Sequence, residues 1–314
     1  VSFASISGLS LRDLEYAVAV AREKHFGRAA ESCNVSQAAL SEQIRKLESL
    51  LGVVLFERTK RRVDVTPRGA ALLRQAELLL ADARRLTDAA RRSAEPLTGE
   101  LRLGAIATLA PYYLPALIRG GRTRFPRLAL RIKEALTDKL LEALRAGELD
   151  AALVALPVTE AGLTSEALFF EPFLLACPVD HPLATAPIPP MRELPRGDLL
   201  LMEDGHCLRD QALSLCEVAR LDPHTRYASS LEMLRHMIAA GEGYSVIPLM
   251  AAHDRVNLAS LVTYRALDDP EAGRTIGLVW RATETRANDL RTIASYLRES
   301  ANEALGISAE AVAD

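Results

Sequence analysis

Residues 36–69 read SQAALSEQIRKLESLLGVVLFERTKRRVDVTPRG. Ser36 is placed as an N-cap. Ala39, Leu40, Ile44, Leu47 and Leu51 then recur every three to four residues, and Gly52 ends the run, so the spacing predicts a helix. Two β-prone segments follow, Val53–Phe56 and Arg62–Thr66, around a basic tip. Working back, HFGRAAESCNV breaks at Phe26 and Gly27. It predicts a short helix over Arg28–Cys33, with Ala29, Ala30 and Cys33 inward and a tight turn at Asn34-Val35. Leu9–Glu23 is a first helix, capped by Ser10, with Leu11, Leu14, Ala17, Val18 and Ala21 as its apolar stripe.

Short helix, turn and longer helix is the helix-turn-helix plan, whose second helix enters the major groove with its leading residues against base edges. Those residues are Ser36, Gln37, Ala38 and Ser41, then Gln43 and Arg45: hydrogen-bonding groups and a cation, suited to bases and phosphates. The strand pair reads as a wing. Arg58, Lys60, Arg61, Arg62 and Arg68, opposed only by Asp64 and joined by Thr66, would lie along a phosphate backbone. Charge supports this division. Residues 1–92 carry 16 Lys+Arg and 11 Asp+Glu, while the remaining 222 carry 22 and 30, so a basic segment precedes an acidic body. The bland alternative is a basic helical bundle with no nucleic-acid role.

This stretch, extended to Leu73, resembles the signature of LysR-type transcriptional regulators. The likeness begins near Leu9. Pro67 suits a helix start, and residues 70–92 contain no Gly or Pro after Ala70. Leu72, Leu73, Ala76, Leu79, Leu80, Ala83 and Leu86 form a seam too apolar for a lone exposed helix. The resemblance makes this the linker helix of a homodimer that reads a pseudo-palindromic operator in double-stranded DNA, with a homotetramer expected and a contact with RNA polymerase left open.

Pro96-Leu-Thr-Gly99 is a hinge by composition. Strand and helix patterns then alternate: Glu100–Ile106, the helix in PYYLPALIRGGRTRFP, Leu128–Glu134, Asp138–Ala146 and Ala151–Ala155. That rhythm predicts an α/β sheet. A second lobe is expected from about Pro172, returning near Arg274. The expected architecture is an all-α winged helix-turn-helix over 1–68 and a linker helix over 69–95. A two-lobed α/β sensor over 96–314 follows, which the resemblance likens to periplasmic binding proteins. Its lobes are 100–171 with 275–314, and 172–274.

LLLMEDGHCLRDQALSLCEVA, residues 199–219, holds Cys207 and Cys216. His206 and Arg209 flank Cys207, and Asp204-Gly205 suggests a helix start just before it. These features favour a thiolate, the reactive form, while Asp210 opposes it unless paired with Arg209 or His206. Nine residues along a helix separate two Cα atoms by about 13.5 Å. A disulfide needs them within about 7 Å, so bonding would require the segment to unwind. On spacing and neighbours alone, a redox switch and two partly buried small hydrophobes both stand open. Cys33 and Cys177, in FLLACPV, read as core. A zinc site from His206, Cys207, Cys216 and a remote His181 or His224 lacks ligand spacing of the CxxC or HxxxH kind.

MEDGHCLRDQALSLC resembles the hydrogen-peroxide-sensing members of the LysR family, and so do IATLAPYYLP, FPRLALRIKEALTDKLLEAL, SLEMLRHMIAAGEGYSVIP and RTIGLVWR. The resemblance implies that Cys207 is the peroxidatic cysteine and Cys216 the resolving one. It places the Thr108 and Thr137 hydroxyls near the peroxide and makes His206, Arg209 and Asp210 the rest of a polar pocket. A metabolite sensor would have no need of the cysteine pair, and a thiol peroxidase would have none of the DNA-binding half. The expectation is therefore a regulator and not an enzyme, with no cofactor, metal or membrane partner. The longest apolar run, Ala151–Leu156, is far below the ~18 residues of a spanning helix. The N-terminal VSFASISGLSLRDLE has no basic lead and apolar block of the signal-peptide kind, so a reducing cytoplasm is expected.

Overall fold

The computed structural model describes residues 8–58, 63–91, 95–188, 190, 193–194, 196–216, 225–253 and 260–305. The chain forms two compact units, 1–92 with 145–148, and 93–144 with 149–314. Among the described residues no helix is long and apolar enough to cross a membrane.

The first unit opens with α1 (Leu11–Glu23). Ser10 caps it in a reciprocal box: its Oγ accepts from the Asp13 amide at 3.2 Å and the Asp13 carboxylate accepts from the Ser10 amide at 3.0 Å. Helix α2 (Phe26–Ser32) starts earlier than predicted. Phe26 and Gly27, read as a break, form its first turn because His25 caps it, its Nδ1 accepting from the Gly27 and Arg28 amides at 3.0 and 3.2 Å. Helix α3 (Gln37–Leu51) ends at Gly52 in the left-handed conformation (φ +64°). Leu40, Ile44 and Leu47 are buried, but Ala39 and Leu51 are exposed, so its inner face is narrower than the periodicity suggested.

Strands β1 (Phe56–Arg58) and β2 (Val63–Val65) pair antiparallel. β2 falls within its predicted span, but β1 starts three residues later than predicted, because Glu48 draws the approach to β1 onto α3: its carboxylate accepts from the Leu55 and Phe56 amides at 2.8 and 3.2 Å. Helix α4 (Pro67–Arg91) follows, with Leu73, Ala76 and Leu80 buried in a core that also holds Val20, Leu40 and Phe56.

In the second unit, β3 (Gly99–Ile106), α5 (Ala110–Arg124), β4 (Leu128–Ala135), α6 (Thr137–Arg145) and β5 (Ala151–Ala155) realise the predicted alternation. β3 runs parallel to both β4 and β5. The chain continues through β6 (Leu163–Pro178), β7 (Leu200–Met202), α7 (Cys207–Leu215), β8 (Arg226–Ala228), α8 (Leu231–Ala239), β9 (Ser245–Pro248), α9 (Leu249–His253), β10 (Val262–Ala266), β11 (Gly273–Arg281) and α10 (Ala287–Leu305). The mixed main sheet has the order β10-β6-β11-β5-β3-β4, with β9 also on β6, while β7 and β8 pair apart from it.

The sheet serves two apolar cores. One holds Leu103, Leu153, Leu278 and Leu297; the other holds Leu175, Leu201, Leu234 and Ile247. β6 belongs to both. Its first part pairs with β11 as far as Pro172, and its second part pairs with β10 and β9. Pro172 therefore does not break the strand. It sits where the ladder changes partner, a place where a missing N–H is tolerated. Tyr112 of α5, which packs against both cores, donates its hydroxyl to Glu232 of α8.

Candidate functional site

Cys207 is the first residue of α7. The turn before it needs glycine: Gly205 has φ +92°, and a Cβ there would come within 3.1 Å of Leu136 Cδ1. That contact sets the Cys207 turn against the residue preceding Thr137. Leu208, Ala212 and Cys216 point into the core around Leu201, while Cys207 is half-buried against the core around Leu103. One cysteine thus faces each core from opposite ends of one helix. Cys216, the C-cap residue, is 3% exposed. None of the four cysteines is in a disulfide.

The polar groups around this turn have definite roles. Arg209 pairs with Asp204 and stands over the Tyr227 ring at 5.9 Å. The carboxylate beside Arg209 is therefore Asp204, and Asp210 is exposed. Burial holds the His206 imidazole below its ordinary range, with the Ser229 backbone and Glu203 opposing that. The sequence counted His206 among the features that favour a thiolate, but its burial works against its charged form. Six buried side-chain polar atoms have no hydrogen-bond partner among the described residues, and three of them belong to Thr137 (Oγ1), Arg209 (Nε) and Gln211 (Oε1). Such orphans are uncommon in folded proteins and call for a partner. Gln211 lies four residues after Cys207, on the same face of the helix. The sequence reading missed it, although that i, i+4 spacing was visible.

Thr108 is anchored elsewhere, at the entrance to α5, and is buried. Its Oγ1 accepts from Arg274 Nη1 at 2.7 Å and its carbonyl from Arg274 Nη2 at 3.0 Å. The hydroxyl keeps its proton to donate. Arg274 in turn meets Glu171 through Nε at 2.9 Å and Nη2 at 2.8 Å, with both side chains fully buried. Glu171 also accepts from the Met250 amide at 3.2 Å. Glu171 and Arg274 lie where the chain passes between the two cores, so this cluster ties β6, β11, α9 and the Thr108 turn at one point. The sequence reading missed both as site residues. They are 103 positions apart, and nothing in the sequence around either points to the other.

In the first unit, Gln37 and Arg45 are exposed at the start and middle of α3, and Ser41 and Gln43 are half-exposed. Arg45 is paired only loosely, with Glu42 at 3.3 Å. Ser36 and Thr66 have local tasks. Ser36 Oγ caps α3 by accepting from the Ala39 amide at 3.2 Å. Thr66 Oγ1 donates to the Val54 carbonyl at 2.7 Å and accepts from the Gly69 amide at 2.9 Å. Arg68 is exposed in the first turn of α4, and Arg58 ends β1. Lys60, Arg61 and Arg62, the basic tip expected between the strands, lie outside the described residues. On α4, Leu78 and Leu79 are about half exposed and Leu86 is 74% exposed. Leu79 and Leu86 are seven residues apart and share a face, the spacing of a helix–helix seam.

Comparison with known proteins matches residues 11–70 to the bacterial regulatory helix-turn-helix proteins of the lysR family and residues 94–302 to the LysR substrate binding domain. The chain is 43% identical to the DNA-binding transcriptional dual regulator OxyR of Escherichia coli (strain K12), over 92% of this chain and 95% of the relative. Among solved structures, a full-length OxyR variant from Pseudomonas aeruginosa superposes with a TM-score of 0.70 at 39% identity, covering 92% of this chain and 95% of that one. A mutant OxyR of Corynebacterium glutamicum with hydrogen peroxide bound gives a TM-score of 0.63 at 35% identity, covering 96% and 97%.

Proposed function

The chain belongs to the LysR family of bacterial helix-turn-helix regulators, and from that premise we propose that it is a hydrogen-peroxide-responsive, DNA-binding transcriptional regulator. Residues 1–68 bind duplex DNA at a pseudo-palindromic operator, 69–95 join two chains, and 96–314 sense peroxide in two lobes of the periplasmic-binding-protein kind. It acts in the cytoplasm as a homodimer through α4, assembling to a homotetramer.

The chemistry balances as follows. The Cys207 thiolate attacks one peroxide oxygen. The S–O bond forms, the O–O bond breaks, and the departing hydroxide takes up a proton to leave as water. The Cys216 thiol then attacks the sulfenic sulfur. The S–S bond forms, the S–O bond breaks, and a second water leaves. Two thiols are oxidised and one peroxide is reduced. The Thr108 and Thr137 hydroxyls, with His206, Arg209 and Asp210, line the peroxide pocket, and the hydroxyl donors and the Arg209 guanidinium stabilise the departing hydroxide. Cys207 heads α7, where the helix dipole favours an anion. The switch is stoichiometric and is reset by a dithiol or thiol reductant, so the protein is a regulator and not an enzyme.

The observation that carries this reading is the placement of Cys207 and Cys216 at the two ends of α7, each against a different core. A bond between them requires α7 to unwind and so rewrites the packing of both cores. On the DNA side, Gln37, Ser41, Gln43 and Arg45 of α3 address bases and phosphates. Ser36 adds the proton of its capping hydroxyl, and Arg58, Lys60, Arg61, Arg62 and Arg68 follow the backbone. The test is a footprint on duplexes selected from a random pool by the reduced protein. Peroxide should change the protected length or occupancy, and dithiothreitol should restore it. A footprint indifferent to peroxide would overturn the proposal.

A further inference from the structure

At the far end of α5 from Thr108 the first core is incomplete. A cavity of about 190 Å³ opens there, walled by Leu103, Leu117, Ile118, Phe125, Leu130 and Leu297. Eleven helical rises from Ala110 to Gly121 place it about 16 Å from the start of α5. An apolar cavity of about 150 Å³ is enough to take up benzene, so this one admits a small ring. Gly121 widens it: a Cβ there would meet nothing closer than 3.8 Å.

The rim is basic. Arg122 lines the cavity, and an adjoining recess of about 290 Å³ is lined by Arg124 and Arg291 with Glu299 as its carboxylate. Phe125 and Tyr296, stacked edge-to-face at 5.4 Å, line both spaces and divide apolar from polar. Tyr296 is held in place by donating to the Leu117 carbonyl at 3.1 Å. Among the described residues Arg122, Arg124 and Arg291 form no ion pair, and the Arg291 guanidinium donates to the Asn288 amide oxygen at 2.9 Å. An apolar chamber beside unpaired guanidiniums fits a ligand with a ring at one end and an anion at the other.

We propose that this cavity is a second small-molecule site, for an aryl or compact branched-alkyl monocarboxylate, with the apolar group between α5, β4 and α10 and the carboxylate at Arg122. It is independent of the thiol pair, so it should be present in a Cys207→Ser chain.

The test is calorimetric titration of the reduced full-length protein with phenylacetate, with toluene as the uncharged probe and acetate as the ringless one. Phenylacetate should bind with a dissociation constant on the order of a millimolar or tighter, and acetate should not bind. Arg122→Gln should weaken phenylacetate about fivefold, the scale of an exposed ion pair, and leave toluene unchanged. Gly121→Leu should abolish binding of both ring compounds. It replaces a helix-interior glycine with a strong helix former, and circular dichroism checks that it folds. Arg122→Gln, at the surface, is decisive if it does not. No binding of phenylacetate to the unaltered chain, as when a second copy covers Ile118, would overturn the proposal. So would equal weakening of toluene by Arg122→Gln, or unchanged affinity in Gly121→Leu.

Discussion

Replacing Glu171 by glutamine removes one charge and almost no volume, yet the structure makes it a severe change. Arg274 is fully buried against Glu171, with two nitrogens on one carboxylate at 2.9 and 2.8 Å. The other oxygen accepts from the Met250 amide at 3.2 Å. A glutamine has one acceptor oxygen for the donors that two oxygens now serve, and its amide would face a donor. Breaking a buried pair at one partner costs about 3–5 kcal/mol, because the remaining charge has no compensation. Trp280 is the single tryptophan, buried in β11 six residues beyond Arg274, so its fluorescence reports unfolding of the second unit alone. With a urea slope of roughly 2–3 kcal/mol/M, the midpoint should fall by about 1–2 M at unchanged slope. Glu171→Leu with Arg274→Met, which removes both charges, should regain most of the loss. A single-variant shift below about 0.3 M would refute the reasoning, since the pair would then contribute little to the junction.

Three further outcomes follow from the same structure. Cys207→Ser should abolish the peroxide response and leave operator affinity unchanged; a surviving response would remove Cys207 from its role. Arg45→Ala should weaken DNA binding and reduce the slope of log affinity against log salt by about one, and an unchanged slope would take Arg45 off the phosphates. His206 should make the fold acid-sensitive: its folded-state pKa is depressed by burial, so the unfolded chain binds the proton more readily. The associated stability is present above the unfolded value of 6.5 and is lost as pH falls through the lower folded value. Unfolding midpoints near neutrality and at about pH 5.5 should diverge less in His206→Gln than in the unaltered chain; equal divergence would assign the sensitivity elsewhere.

What the sequence revealed depended on range. Helix α3 was legible because Leu40, Ile44 and Leu47 repeat at the helical period and Ser36 and Gly52 bracket them. The alternation from β3 to β5 was legible for the same reason, as was the location of Cys207 in the first turn of a helix. The start of α2 was misread because a histidine cap is a rarer signal than the glycine that follows it. The displacement of β1 came from Glu48, whose side chain reaches seven residues forward. The joining of Arg274, Glu171 and Thr108 had no local trace. These residues come from three segments that only the folded sheet brings together. Thr66 shows the converse, a hydroxyl in a DNA-binding segment that is engaged on both sides, accepting from Gly69 at the start of α4 and donating to the Val54 carbonyl.

The proposed switch exchanges the helix between Cys207 and Cys216 for a disulfide. The most direct measurement is treatment of the reduced full-length protein with about one equivalent of peroxide, followed by trapping and mass-spectrometric mapping of all four cysteines. A Cys207–Cys216 disulfide should form rapidly, with Cys33 and Cys177 still as thiols. Unreacted Cys207, or indiscriminate oxidation of all four, would contradict it.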